Sequence, residues 1–385
     1  MHKRHSFIRL TFYCLLALLI HPCNRAVADE ITSRSILASA LTIANGIDDG
    51  RLKAQVLEMI AAAQAEMGDI SGAKQTADAI VVTAADGSDI AEIQSNWKKE
   101  ALAAIAGGQA GAGDIDGAFA TVDSIDDAGT KAVAYQYIVQ ALARKGDITG
   151  AKASVAMTNG LCRTRANAAI AKAEATAGDI TSAIDLAKSL NDATEQAQAF
   201  AFIAEAQAKC GDQTGAKQTV DLAKAAAAQV PDYLSRTVDG AVAKAEVKAG
   251  DADGTADYKK AYPSYVTREI ATGLAETGDI SGAKALVAQI SDPQDQACTQ
   301  ANIALAELGA GDADGAVDAL DSARRFALSI PDSSDNADGF GCVAQAWTKV
   351  GEPSAAADWI RSHQDPIVEV TGLIDIARAM RSGGQ

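Results

Sequence analysis

Histidine is scarce in this chain, and most of it lies at one end. Only four of the 385 residues are histidine, three of these fall within the first 28 residues, and His363 alone lies beyond them. Because histidine is the usual general base and metal ligand, this scarcity argues against most enzyme and metal-site classes. The Gly-x-Ser-x-Gly, His-Glu-x-x-His and phosphate-binding glycine-loop motifs do not occur either. We therefore expect no catalytic residue, no metal and no cofactor. Carboxylate pairs among the 50 acidic residues stay open, although we place these acids on solvated helix faces or at helix caps.

Cysteine is also rare, and its spacing gives zinc ligation no support. Beyond residue 28 the cysteines are Cys162, Cys210, Cys298 and Cys342, and no two of them form a Cys-x-x-Cys pair. They occupy four different positions of the repeat described below. This scatter favours buried thiols that pack as small apolar residues. Cys298 with Cys342, in adjacent repeats, is the one disulfide that we consider.

No apolar run in the sequence is long enough to cross a membrane. The run at 10–20 has eleven residues, whereas a spanning helix needs roughly 20. A basic stretch precedes this run, and Ala26-Val27-Ala28 follows it. These features predict a signal peptide at 1–28, a mature chain at 29–385 without a membrane span, and a periplasmic or secreted protein. The sequence has no Asn-x-Ser/Thr sequon, which fits a bacterial source.

Positive charge is in deficit. Cleavage after residue 28 removes four of the 34 basic residues and none of the 50 acids, which changes the formal net charge from −16 to −20. Nucleic acids and anionic membranes are bound through clustered Lys and Arg. The charge therefore argues against both of these partners.

A Gly-Asp pair, once Gly-Glu, recurs along the chain. Four of the eight intervals between its glycines are 32 or 33 residues, a spacing typical of stacked supersecondary units. The nine glycines, which we call the joint glycines, are Gly68, Gly113, Gly146, Gly178, Gly211, Gly250, Gly278, Gly311 and Gly351.

The residues before each joint glycine keep one register. Eight positions before it, at position −8, all nine copies have Ile or Val, and at position −5 all nine have Ala or Gly. A large and a small residue three positions apart lie on one helix face, where the small one lets a neighbouring helix approach closely. Glycine can end this first helix in a left-handed conformation. The following Asp can then cap a second helix.

This pattern predicts an all-α fold, a right-handed α-solenoid of about nine helix-turn-helix repeats with half-repeat caps. One helix pair cannot bury its own apolar face, so neighbouring pairs must stack. At the two ends, 35–45 reads as a lone second helix and 368–380 as a lone first helix. The acids beside the joint glycines superficially resemble calcium loops. The third ligand and the bidentate Glu of such loops are missing, so capping explains these acids better.

The unit resembles the tetratricopeptide repeat. The resemblance rests on the Gly-Asp joint, the aliphatic residue at −8 with a small neighbour, and the Ala five residues after most joint glycines. It covers about residues 35–380. Two features of the family depart here: only Trp347 supplies the aromatic at position −4, and the proline after the second helix is mostly missing.

The resemblance implies a concave binding face lined by first helices, including positions −6 and −2. Cations are concentrated at these positions in the central repeats, and two aromatic residues stand at position −9. They suit an acidic peptide or a C-terminal carboxylate, although a plain solvated face stays open. The candidate binding residues are Tyr137, Gln140, Arg144, Lys172, Phe202, Glu205, Lys209, Lys244 and Lys248.

These observations favour an exported, non-catalytic scaffold that binds a peptide or protein on its concave face. Two alternatives stay open. One is a cell-wall or polysaccharide-active enzyme built on a helical solenoid, which would need an acid in a cleft. The other is a structural spacer or assembly subunit.

Overall fold

A computed structural model describes residues 31–82, 89–255, 262–330 and 337–382. Within these ranges the chain forms nineteen α-helices and no β-strand, so the all-α solenoid is confirmed. From Thr32 onward the chain is one compact unit. The predicted signal peptide at 1–28 lies outside the described residues and stays a prediction.

The helices follow one another with short connections. In chain order they are α1 (Ser33–Asn45), α2 (Gly50–Glu66), α3 (Ile70–Asp78), α4 (Asp89–Ala112), α5 (Ile115–Asp123), α6 (Ala128–Arg144), α7 (Ile148–Val155), α8 (Gly160–Thr176), α9 (Ile180–Lys188), α10 (Ala193–Lys209), α11 (Gln213–Ala227), α12 (Ser235–Lys248), α13 (Pro263–Glu276), α14 (Ile280–Val287), α15 (Pro293–Gly309), α16 (Ala313–Ala327), α17 (Ala337–Lys349), α18 (Pro353–Arg361) and α19 (Pro366–Ser382).

Each joint glycine ends a first helix. The first helices are α2, α4, α6, α8, α10, α12, α13, α15, α17 and α19, and the others are second helices. All nine joint glycines have φ between +80° and +102°, the left-handed conformation that glycine adopts at little cost. At the first joint, the amide of Asp69 donates to the carbonyl of Gln64 at 2.8 Å and the amide of Gly68 to that of Ala65 at 3.0 Å. These two bonds define a Schellman motif, which satisfies the last carbonyls of the helix.

The acid after the joint glycine caps the second helix, as predicted. In the eight Gly-Asp copies the carboxylate accepts a backbone N–H three residues later, at 2.8–3.2 Å. The ninth copy differs, because Glu352 makes no side-chain cap bond and Pro353 begins α18 instead. After Asp251 there is only a 3₁₀ turn at 253–255, and 256–261 lie outside the described residues.

One second helix is shorter than predicted. The pattern predicts a helix over 71–82, whereas α3 ends at Asp78. Ile80 then turns into the core, where it is 2% exposed, and Val81 is 67% exposed. Burial of one large aliphatic side chain contributes about 1.5–3 kcal/mol, which offsets the loss of one helical turn.

The register of the first helices is confirmed by burial. Every Ile or Val at position −8 is at most 3% exposed. The small residues at −5 stand where backbones meet. At Gly108, an added Cβ would lie 2.4 Å from the carbonyl oxygen of Ala65 on the preceding first helix. Small residues therefore set the spacing of the first helices.

Position −4 is polar and buried in most repeats, which corrects the expectation that acids lie only on solvated faces or at caps. Where it is Gln, the side chain accepts from a Thr of its own second helix, as in Gln207 with Thr219 at 2.7 Å. Where it is Glu, it pairs with a Lys of the preceding second helix. These pairs are Glu174 with Lys152, Glu246 with Lys224 and Glu307 with Lys284. The three glutamates are at most 3% exposed, so each pair is a salt bridge with a buried carboxylate that joins neighbouring repeats.

The stack closes on itself. Consecutive first helices contact one another from α2 to α19, and α19 also contacts α2. The half-repeats α1 and α19, predicted as caps, pack against each other and form a tenth helix pair. Their contacts include Ser33 Oγ donating to the carbonyl of Ala377 at 3.1 Å, and Arg378 pairing with Glu66 of α2 at 3.0 Å.

One disulfide joins adjacent repeats. Cys298 of α15 and Cys342 of α17 are bonded, with their Cα atoms 5.1 Å apart. The interpretation of the cysteines as buried thiols is wrong for this pair. It is also wrong for Cys210, which is a free, exposed thiol, while Cys162 is free and half-buried. Cys210 directly precedes a joint glycine, where the helix end projects into solvent.

Candidate functional site

The first helices form the concave layer of the stack. Each one packs against the first helices of both neighbours, whereas the second helices pack mainly on first helices. The repeats therefore lie closer together on the first-helix side than on the second-helix side. Residues on the first-helix face away from the second helices are the ones that a ligand inside the curve would meet.

A groove of about 710 Å³ opens on this face between α2, α4, α6 and α19. Its lining follows the predicted register, since all six residues at positions −6 and −2 of α2, α4 and α6 line it together with the candidate Tyr137. Two of these six residues, both in α4, are glycines. The lining residues are Glu58, Ala62, Glu66, Met67, Gly68, Ala104, Gly107, Gly108, Gly111, Ala112, Tyr137, Gln140, Ala141, Arg144, Lys145, Arg378 and Arg381.

Small residues of α4 form the floor of the groove. A Cβ added to Gly107 would lie 2.9 Å from the Cβ of Tyr137, and one added to Gly108 would meet the backbone of Ala65. These two adjacent glycines let α4 approach α6 on one side and α2 on the other. The groove is therefore shallow and smooth along α4, and its larger side chains stand at the edges.

The edges of the groove are mostly cationic. Arg144 and Lys145 are exposed at the end of α6, and within the described ranges they take part in no ion pair. On the opposite side Arg378 holds Glu66 through its Nε and Nη2 atoms, each at 3.0 Å. Arg381 donates to the backbone carbonyl of Glu66. The contacts that close the stack therefore form one wall of the groove.

A half-buried carboxyl group lies in the same groove. Burial and then the neighbouring Glu100 carboxylate raise the pKa of Glu58 to about 7. The pKa of Glu100 is raised by burial and by Asp127, and that of the Tyr137 phenol by burial, Glu100 and Glu58. Glu58 can therefore hold or release a proton near neutral pH, a property common to functional sites.

The candidates in the central repeats lie outside this groove and contact each other. The Lys172 ammonium lies 5.9 Å from the centre of the Phe202 ring. Lys248 pairs with Glu205 at 2.7 Å and with Glu276 at 2.5 Å, and Lys244 pairs with Glu276 at 2.8 Å. This network, which we call the central strut, links α10, α12 and α13 and neutralises the two lysines. Lys209 is exposed, and it has no ion-pair partner in the described part of the chain.

The structure thus divides the nine candidates into two groups. It brings Tyr137, Gln140 and Arg144 together in the groove, and it places the other six along α8, α10 and α12. Sequence reasoning missed Glu58, Lys145, Arg378 and Arg381. A signal for Arg378 was present: if Gly384 is counted as a tenth joint glycine, Ile376 falls at −8, Ala379 at −5 and Arg378 at the lining position −6.

No helix in the described ranges is both long and apolar enough to cross a membrane. The same residues contain no group of three His, Cys, Asp or Glu side chains arranged to hold a metal ion.

Comparison with known proteins adds little to these observations. No protein-family model matches the chain, and no curated protein matches it. Among solved structures, the chain is similar to one described as a circular tandem repeat protein with novel repeat topology and enhanced subunit contact surfaces. The identity is 12%, the match covers 91% of this chain and 76% of that one, and the TM-score is 0.19. At that score the likeness carries no argument, so the functional interpretation rests on the groove itself.

Proposed function

We propose that this protein is a non-catalytic scaffold that binds a peptide or protein partner on the concave face of its first helices. The observation that carries this proposal is the groove of about 710 Å³ between α2, α4, α6 and α19. Its floor of Gly and Ala allows a ligand backbone to approach closely. Its polar side chains project from packed helices and are therefore preorganised.

The repeat and the first 28 residues support two finer parts of this proposal. The units are a divergent tetratricopeptide-like class, and the protein is exported to the periplasm or the medium of a bacterium. Residues 1–28 fused to a reporter protein are expected to carry it out of the cytoplasm. Retention of the fusion in the cytoplasm would contradict the export.

Site-specific photocrosslinking in the native exported fraction tests the scaffold. A photoreactive amino acid at Gln140, in the groove, is expected to give a discrete adduct with one partner. The matched control places it at Lys74, an exposed residue of the second helix α3. Equal adducts from both positions, or none from Gln140, would count against the concave face.

A second candidate function has one specific observation in its favour. An enzyme acting on polysaccharide needs a carboxylic acid whose pKa is raised in a cleft. Glu58 meets that requirement, with Glu100 close enough to raise its pKa. In this interpretation Glu58 is the general acid and Glu100 the second carboxylate.

Zymography on cell wall and on soluble polysaccharides separates the two functions. An enzyme would clear the substrate, and both Glu58→Gln and Glu100→Gln would abolish clearing. The control Asp78→Asn alters an exposed carboxylate of the second helix α3, outside the groove, and would retain activity. The third candidate, a spacer or assembly subunit, would self-associate in sedimentation and yield no photocrosslinked partner.

A further inference from the structure

The groove is positively charged within an acidic protein. Four cations line it, against the two lining carboxylates of Glu58 and Glu66. One of the cations, Arg378, has a second carboxylate partner in Asp375 at 3.8 Å. The chain as a whole has a formal net charge of −16. Local charge of the opposite sign to the whole chain is complementary to an anionic ligand, and it also speeds the encounter with one.

The four cations stand on two sides of the glycine floor. Arg144 and Lys145 come from the end of α6, in the third repeat, and Arg378 and Arg381 come from α19, the last helix. The floor between them belongs to α2 and α4. A ligand that meets all four cations must therefore lie across these two helices, and it must carry negative charge at more than one point.

We infer that the groove binds an extended acidic peptide segment, which bridges α6 and α19 and thereby holds the stack closed. This inference rests on the proposed scaffold function and specifies its ligand. Carboxylate side chains suit the guanidinium groups, which can take them in bidentate geometry. The small residues of the floor leave room for the backbone of the peptide.

Closure of the stack is part of the site. Arg378 and Arg381 reach the groove because α19 packs beside α2, where both arginines also contact Glu66. If α19 moved away from α2, the groove would lose half of its cations. A ligand that binds only the closed arrangement must stabilise that arrangement, by linkage.

Fluorescence anisotropy with a labelled hexaglutamate peptide tests the inference on the full mature chain. Wild type is expected to bind it at low ionic strength, to bind more weakly as salt is added, and not to bind labelled hexalysine or hexaglutamine. The variant R144E/K145E is expected to bind at least about tenfold more weakly. The matched control, K74E/K217E, makes the same charge change at exposed lysines of the second helices α3 and α11, and it is expected to bind as wild type does.

Hydrogen exchange supplies a second readout that does not depend on affinity. Hexaglutamate is expected to slow amide exchange in α1 and α19, which meet at the closure, and to leave the distant α14 unchanged. R378Q/R381Q is expected to lose both the binding and this protection while keeping the wild-type circular dichroism spectrum.

The outcomes are decisive in both directions. No binding of hexaglutamate, or equal binding by R144E/K145E and wild type, overturns the inference, as does binding without slower exchange in α1 and α19. The scaffold itself is judged by the crosslink at Gln140. A concave-face partner that is captured while hexaglutamate fails would therefore overturn the acidic ligand and leave the scaffold standing.

Discussion

At the scale of single residues, the polar side chains at position −4 find their buried hydrogen-bond or ion-pair partners in two ways. Each side chain is buried next to the capping Asp. Gln is neutral there, and Gln207 donates to Asp212 at 3.2 Å while it accepts from Thr219. Glu has no N–H group to donate to a carboxylate. Glu174 instead pairs with Lys152 of the preceding repeat, with Nζ and Oε1 2.6 Å apart.

Gln207→Glu is therefore expected to destabilise the protein strongly. The preceding second helix offers Ile184 at the position that Lys152 occupies in its own repeat, so the new carboxylate would be buried beside Asp212 without a cation. An uncompensated buried charge costs roughly 3–5 kcal/mol. Urea unfolding followed by circular dichroism measures this cost.

The matched variant is Glu174→Gln, which keeps an acceptor for Lys152 and is expected to cost under about 1.5 kcal/mol. Equal losses of stability in the two variants would show that charge is not what distinguishes the two kinds of repeat.

Glu58 makes stability depend on pH. Its pKa is about 7 in the folded chain, above the ordinary glutamate value of 4.5, so folding favours the protonated form. Between about pH 4.5 and 7 the folded state holds a proton that the unfolded state has released, and the free energy of unfolding falls as pH rises through this window. Glu58→Gln abolishes this fall in the free energy of unfolding, because glutamine does not titrate. At pH 8 it is expected to melt roughly 1–3 °C above wild type, and at pH 4 the difference should disappear.

Differential scanning calorimetry from pH 4 to 8 checks this expectation. Glu66→Gln, at a carboxylate for which Arg378 is an ion-pair partner, serves as control and is expected to show no such gain at pH 8. If Glu58→Gln raised the melting temperature by the same amount at pH 4 and at pH 8, the raised pKa of Glu58 would not be the cause of the difference.

At the scale of helices, the spacing between first helices is set by how little side chain stands between them. α4 is the clearest case, because Gly107 and Gly108 face α6 and α2 respectively. Mid-helix glycine costs about 1 kcal/mol relative to alanine. Two adjacent glycines in a long helix therefore imply that the close approach of the neighbours contributes more than this cost.

Gly108→Ala and Gly111→Ala are a matched pair within α4. At Gly108 the new Cβ would lie 2.4 Å from the carbonyl oxygen of Ala65, whereas at Gly111 its nearest neighbour is the Cβ of Ala141 at 3.7 Å. Gly108→Ala is expected to cost about 1–3 kcal/mol through overpacking. Gly111→Ala is expected to stabilise the protein by about 0.5–1 kcal/mol through helix propensity.

Chemical unfolding of both variants measures the difference. Stabilisation by both substitutions would mean that α2 and α4 are not in close contact at Gly108.

At the scale of the whole compact unit, closure replaces the two ends that a linear solenoid must cover. α1 and α19 bury each other's apolar faces, with Ile36 and Leu373 both fully buried. An open stack of ten first helices at the usual spacing of 8–10 Å would separate its two ends by about 80 Å. In the closed stack the ends lie on neighbouring helices, about 10 Å apart from axis to axis.

Energy transfer between fluorophores at Ser33 and Arg381 distinguishes the two arrangements. Cysteines placed there, with the free Cys162 and Cys210 changed to serine, are expected to give transfer efficiency near its maximum in buffer and a low value in denaturant. In the control pair, Ser33 is combined with Lys209, which lies on α10 about half-way along the stack. This pair is expected to transfer less in buffer. Low transfer from Ser33 to Arg381 in buffer would contradict closure.

The repeat itself was readable from the sequence because its physics is local. Glycine with positive φ, the capping Asp, the aliphatic residue at −8 and the small residue at −5 all act within one helix pair. The pattern occurs nine times in the sequence, eight of them with the Asp. The register also gives the helix face of the candidates Tyr137, Gln140 and Arg144, since each is a fixed number of residues from a joint glycine. It does not show that these three line a groove while the candidates at the same positions of the central repeats do not.

What the tertiary structure alone decided is everything that depends on which repeats meet. The pairing of Glu174 with Lys152 and the central strut of Lys244 and Lys248 join residues of different repeats. The burial that raises the pKa of Glu58 also needs the neighbouring helices in place. The largest decision of this kind is closure, because the small angle between neighbouring repeats is set by side-chain volumes at each contact. Only the sum of those angles over ten first helices brings Arg378 of the last helix, α19, to Glu66 at the end of α2, the first helix of the first repeat.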